Sequence, residues 1–190
     1  HIEHRKETAE AKYLKSTVYG GLDGIITTFA VVAGVAGASL SAGIVLILGF
    51  ANLIADGISM AIGDYLSTKS TNEYHEMEKK KENLEVKNYP KMEKQELIEL
   101  YVKKGMKKDD ALRFVNILSK NKKLWVETLM TEELDINPVL ESPLKNSIVT
   151  FISFFIFGLI PLLIYVINYF YPLFPGNIFI ITIILTAIAL

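Results

Sequence analysis

Asn52, Asp56 and Met60 follow one another at four-residue intervals, so on a helix they stack along one face about 6 Å apart. An amide oxygen, a carboxylate and a thioether in a column offer a transition metal stepwise replacements for its water shell. Mixed hard and soft donors suit Fe2+-like ions better than Ca2+ or Mg2+, which take oxygen alone. The plainer reading makes Asn52 and Asp56 interhelical hydrogen-bond partners and Met60 core filler. Asp56 resists that reading, because a metal binding a protonated carboxyl expels the proton and so couples cation movement to proton movement. Asp23 is bracketed by Gly20, Gly21 and Gly24, small residues that would let another helix or a cation approach its carboxylate. It reads equally as a functional acid or as an end-of-span acid reaching water, and Asp64 reads as wet.

A second set is acidic. Glu82 and Glu85, then Glu93 and Glu96, are pairs at i, i+3, and Glu132 and Glu133 follow further on. Two carboxylates on one helix face repel unless a cation joins them, although Glu- and Lys-rich helices are often simply solvated. His75 beside Glu76 and Glu78, and the group His1, Glu3 and His4, read as exposed polar residues. The chain has no Cys, which excludes disulfides, Fe–S clusters and thiolate metal sites. No HExxH motif, phosphate-binding loop or nucleophile elbow is present, so no enzyme reading competes.

The elements that must position these residues follow from charge segregation. The chain is 51% hydrophobic with mean hydropathy +0.31, yet 22% charged. Of its 20 Lys and Arg, 16 lie between Lys69 and Lys145, four between Arg5 and Lys15, and none in 16–68 or 146–190. An acid near the bilayer centre costs about 2.5–3.5 kcal/mol on insertion scales, so Asp23 and Asp56 within 16–68 need a reason. Thr17–Leu40 and Gly43–Leu66 are each long enough to cross ~30 Å of hydrocarbon as helices, joined by a short Ser41–Ala42 link. Ile148–Phe170 is a third span, kinked by Pro161, and Asn177–Leu190 starts a fourth after the Tyr171–Pro172 and Pro175–Gly176 turn. Gly20/Gly24, Ala30/Gly34, Ala33/Gly37 and Ala55/Ser59/Gly63 are small residues four apart, suited to close helix packing in lipid. The expected division is a cytosolic arm 1–15, a hairpin 16–66, a soluble insert 67–146 and a return to the membrane at 147–190. The arm and the insert hold every basic residue, which places both in the cytosol. Net charge is −1, so nothing suggests a nucleic-acid partner. No signal peptide is visible, so the first span stays in the membrane.

The insert reads as helical. Lys69–Lys87 is helix-permissive and Pro90 ends it; Met92–Lys104 places Leu97, Leu100 and Tyr101 at helical spacing before Gly105 as C′. A third helix starts at an Asp109–Asp110 cap with Leu112, Val115, Ile117 and Leu118 as its apolar set. A fourth carries Leu124, Val126, Leu129, Met130 and Leu134, and Pro138 and Pro143 mark the return to the membrane.

"GGLDGIITTFAVVAGVAGA" (20–38), "FANLIADGISMAIGDYLSTKS" (50–70) and "LWVETLMTEEL" (124–134) resemble the vacuolar iron transporter family over nearly the whole chain from about Tyr13. The resemblance implies an all-α polytopic fold of five spans, with three spans and part of a fourth falling here. The His1 and Leu190 ends read as boundaries within a longer protein. It also implies a homodimer with the ion path at the subunit interface, and a cytosolic metal-binding domain between spans two and three. Family path residues fall on Asp23 and Met60; the span-two acid falls on Asn52, with Asp56 one turn along as a displaced carboxylate. Cytosolic ligands fall on Glu82, Glu85, Glu93, Glu96 and Glu133, and a thioether expected at Leu129 is either lost or shifted by one residue to Met130. The implied function is Fe2+ transport from cytosol into a vacuole-like acidic compartment in exchange for protons, with iron as substrate and no prosthetic group. Mn2+ or Zn2+ as cargo, Co2+ or Ni2+ as bound ions, and a non-transporting scaffold whose insert recruits partners are the alternatives.

Overall fold

A computed structural model describes residues 2–136, 141–172 and 177–190. The expected loop residues Pro138, Pro175 and Gly176 lie outside the described residues, as do His1 and the side chains of 2–12. The fold is all-α: α1 (Ile2–Gly37), α2 (Ala42–Asn88), α3 (Pro90–Lys103), α4 (Lys108–Leu118), α5 (Lys122–Glu132), α6 (Pro143–Gly158), α7 (Ile160–Phe170) and α8 (Ile178–Ala189). No strand occurs among the described residues. Two compact units form, one from 1–68 with 142–190 and the other from 69–141.

In the first unit Tyr13–Gly37 and the apolar half of α2 are long and apolar enough to cross a membrane. The link between them is 38–41 rather than Ser41–Ala42 alone, and it turns through Ser39 at φ 58°. α6 and α7 together reach span length but bend by 52° at Leu159. Pro161 sits in the first turn of α7, where its missing N–H costs no helical bond, so the kink falls just before the proline. α1 packs chiefly on α6, and α8 on α7 and α1. Val32, Val45, Leu53, Phe154 and Leu162 are its buried apolar centre.

The glycines near Asp23 serve α6. A Cβ on Gly24 would stand 2.3 Å from the Phe154 carbonyl oxygen, one on Gly20 2.7 Å from the Thr150 oxygen, and one on Gly158 2.9 Å from the Gly24 oxygen. The helices therefore touch backbone to backbone, the contact that small residues permit in lipid. Gly24→Ala forces a methyl against a main chain that cannot rotate away. It is expected to cost about 1–3 kcal/mol and lower the thermal midpoint, whereas Gly43→Ala, whose nearest neighbour is Ser41 Oγ at 3.8 Å, leaves it unchanged. Melting curves of the two variants in detergent check this.

In the second unit α3 packs on α4, and α4 on α5. α3 begins at Pro90 and closes in a Schellman motif: Gly105 at φ 99° donates its N–H to Val102, and Met106 donates to Tyr101. α4 starts two to three residues earlier than expected, with Lys107 at its N-cap; Asp109 and Asp110 fall in the first turn, where negative charge suits the helix dipole. Its buried residues are Ala111, Val115 and Leu118, while Leu112 and Ile117 face outward. Asn121 caps α5 by accepting the Leu124 N–H at 3.2 Å. Trp125, Val126, Leu129 and Met130 point into the core, and Leu124 is exposed.

Candidate metal centre

The centre is built from three segments of the insert unit. Glu82 comes from α2, Glu93 from the first turn of α3 and Glu133 from the C-cap of α5. One carboxylate oxygen of each lies within 4.8 Å of the others. The positions follow from the local folds. Pro90 breaks the chain between α2 and α3 and turns Glu93 back towards Glu82, and the end of α5 leaves Glu133 beside them.

Glu82 and Glu93 are each only 3% exposed, and Glu82 Oε2 is buried without a hydrogen-bond partner among the described residues. A buried carboxylate is stable only where a donor or a cation balances it, and this oxygen is chemically suited to accept either. Burial pushes Glu82 up from 4.5 to about 7, with Glu133, Glu85 and Glu93 adding repulsion and Lys81 opposing it. Glu93 also rises to about 7, by burial first and then Glu96, Glu85 and Glu133, again against Lys81. For Glu133 burial of the carboxyl end is the largest cause although the residue as a whole is exposed, followed by Glu96 and Glu85. Five glutamates thus share one electrostatic environment. Glu85 is half-buried, and Glu96 and Glu133 line an open cleft that gives the group access to solvent.

A stability consequence follows. The folded values of about 7 lie above the ordinary 4.5, so between them the folded chain holds protons that the unfolded chain has released. The contribution of these groups is full below about pH 4.5 and is lost as pH rises through about 7. Metal-free protein is therefore expected to unfold at lower temperature at about pH 7.5 than at about pH 5.5, and a saturating divalent cation should flatten the difference. Trp125, the chain's single Trp and 4% exposed in the insert core, supplies a fluorescence signal specific to this unit.

The remaining acidic candidates separate. Glu132, adjacent to Glu133 in sequence, pairs instead with Lys104. Met130 packs into the apolar core with Leu129. His75 is half-buried, not exposed; its Nδ1 has no hydrogen-bond partner among the described residues, and its ring lies 6.1 Å from Tyr74.

The membrane unit holds the other set. Asn52, Asp56 and Met60 lie on the uninterrupted α2 and are all half-buried, as is Asp23 on α1. Asp23 lies on α1 and Asp56 on α2, two helices that the Ser16–Asp64 hydrogen bond joins. Asn52 Nδ2 is buried without a hydrogen-bond partner among the described residues. Ala55, Ser59 and Gly63 alongside are exposed, and among the described residues nothing beyond the adjacent backbone of α2 lies within 4 Å of where a Gly63 Cβ would be. Asp64 departs from expectation. It is half-buried, and its carboxylate accepts from Ser16 at 3.1 Å and from Thr150.

The profile described as the VIT family matches residues 14–190. The chain is 44% identical over 165 residues to a vacuolar iron transporter of Toxoplasma gondii, covering 85% of this chain and 54% of that protein. It is 41% identical to the vacuolar iron transporter of Plasmodium falciparum, over 80% of this chain and 58% of the relative. Vacuolar iron transporter 1 of Arabidopsis thaliana is 32% identical over 86% of this chain and 67% of its own length. The chain thus spans between about half and two thirds of the relatives it matches.

Proposed function

The chain belongs to the VIT family, and on that premise we propose that the protein carries Fe2+ from the cytosol across the membrane of a vacuole-like acidic compartment in exchange for protons. The observation that carries the metal-handling reading is the trio Glu82, Glu93 and Glu133, with oxygens within 4.8 Å and one buried oxygen lacking a donor. A divalent cation offsets both the burial and the neighbouring like charges that raise these acids, and binding expels the protons they hold near neutral pH. Glu85 and Glu96 add charge at the rim and draw the hydrated ion in. The insert in this reading is cytosolic and concentrates the ion. Met130 would add a thioether only by leaving the apolar core it occupies.

From there the ion takes the Asn52, Asp56, Met60 and Asp23 set. Carboxylates from two helices take up part of its charge, the thioether of Met60 favours Fe2+ over Mg2+, and protons returning from the acidic side reset the acids. The exposed small residues Ala55, Ser59 and Gly63 beside this column support a homodimer that closes the path, since small residues let a second copy's helix approach.

One observation favours a second cargo. The trio offers oxygen donors alone, and oxygen-only sites discriminate weakly among divalent metals, so Mn2+ or Zn2+ would also bind. Uptake of Fe2+ into reconstituted vesicles with competing Mn2+, Zn2+ and Mg2+ tests the reading. Fe2+ should enter and Mg2+ should compete poorly. Mn2+ or Zn2+ outcompeting Fe2+ reassigns the cargo, and no flux of any ion leaves only the scaffold role.

A further inference from the structure

The geometry points to Asp64 as a positioning residue, whose carboxylate ties α1, α2 and α6 together and so sets where Asp23 stands against Asp56 and Met60. The inference rests on the transport reading above and assigns a new part within it. Ser16 Oγ on α1 donates to Asp64 Oδ2 at 3.1 Å, and Thr150 Oγ1 on α6 donates to the same oxygen. Thr68 Oγ1 donates to Oδ1 at 3.5 Å and accepts from Asn146 Nδ2 at 3.3 Å, which gives a chain Asn146 to Thr68 to Asp64.

The donors are held out of water. Ser16, Thr150 and Asn146 are 9%, 2% and 3% exposed, so these are charge-capable hydrogen bonds in a poor dielectric, where they are strong and orientation-specific. Asp64 stands one turn beyond Met60 on α2. Thr150 acts twice: its hydroxyl binds Asp64, and its carbonyl oxygen lies against Gly20, 2.7 Å from where a Cβ would be. Gly20 is three residues before Asp23 on α1. One carboxylate is therefore keyed to both sides of the proposed path, through α2 to Met60 and through α6 to Asp23. A carboxylate that accepts hydrogen bonds can still ligate an ion, so a variant that keeps the carboxylate and removes its donors distinguishes the two roles.

The full-length protein in proteoliposomes provides the test, with Asp64→Asn and the double variant Ser16→Ala/Thr150→Val. The double variant keeps the carboxylate but removes its buried donors. Both are expected to lower the maximal Fe2+ uptake rate about tenfold while the half-saturating concentration stays within about twofold, because the path is misplaced rather than the loading site weakened. Wild-type rates in Asp64→Asn overturn the inference. So does a double variant that transports normally while Asp64→Asn is dead, since the acid would then act on the ion itself, and so does a defect confined to half-saturation. Should Asp64→Asn fail to fold by size exclusion, the double variant alone decides. An inactive wild-type protein would sink the transport reading and this inference with it, whereas defects against an active wild type bear on Asp64 alone.

Discussion

Glu82→Gln combined with Glu93→Gln is expected to weaken divalent-cation binding on the order of 10²–10³-fold while raising the thermal midpoint of the metal-free insert. The two effects share one cause. In the metal-free state the buried carboxylates repel one another and Glu82 Oε2 has no donor, so the fold carries their cost. An amide of the same shape removes the repulsion and can donate a hydrogen bond itself. With a cation present the carboxylates become its principal negative ligands, and losing two of the three leaves Glu133, which is exposed and discounts accordingly. Calorimetric titration with Mn2+ as an air-stable probe, beside melting curves from Trp125 fluorescence, separates this from general damage. A damaged fold loses binding and stability together. Binding that persists in the double variant removes the site.

The second large effect concerns Asp56. Asp56→Asn is expected to reduce Fe2+ flux at least about tenfold, the factor that accompanies ~1.4 kcal/mol, because the amide cannot balance the cation's charge in an apolar span. Asn52→Asp added to Asp56→Asn returns a carboxylate one turn away on the same helix face, at about 6 Å. It should restore a substantial part of the flux if the carboxylate, rather than its exact residue, is what the ion needs. Initial uptake rates for the two variants measure this. Unaltered flux in Asp56→Asn would show that Asn52, Met60 and Asp23 suffice without it.

Much of this architecture was legible in the sequence because lipid and water impose different compositions, and the boundaries of 16–68 follow directly from where Lys and Glu stop. Where charge resumes at Lys69, however, the helix does not end. Ser67–Ser70 is polar but helix-permissive, so α2 runs on to Asn88, and composition marks the medium rather than the hydrogen-bond ladder. Helical spacing pairs Glu82 with Glu85 and Glu93 with Glu96 as neighbours within a helix. The observed trio takes one residue from each of three segments, a juxtaposition fixed by the Pro90 break and by the core that seats α5. Adjacent Glu132 and Glu133 diverge for the same reason, one meeting Lys104 and the other the trio. Trp125 is absent from the expected apolar set although it is nearly fully buried: Val126, Leu129 and Met130 face inward as expected, and Trp125 takes the place assigned to the exposed Leu124. Asp64 looked wet from its position near the end of an apolar run. Its partners Ser16 and Thr150 lie 48 and 86 residues away in sequence, beyond the reach of any local pattern.

In the proposed mechanism metal moves one way as protons move the other through the set containing Asp23. The most direct measurement loads proteoliposomes holding the full-length protein with an acidic interior and two indicators, one for Fe2+ and one for pH. Wild-type protein is expected to take up Fe2+ as the interior alkalinises, with both signals collapsing together when the gradient is dissipated and both absent in Asp23→Ala. Fe2+ uptake that proceeds without interior alkalinisation, or that survives Asp23→Ala undiminished, would contradict the account.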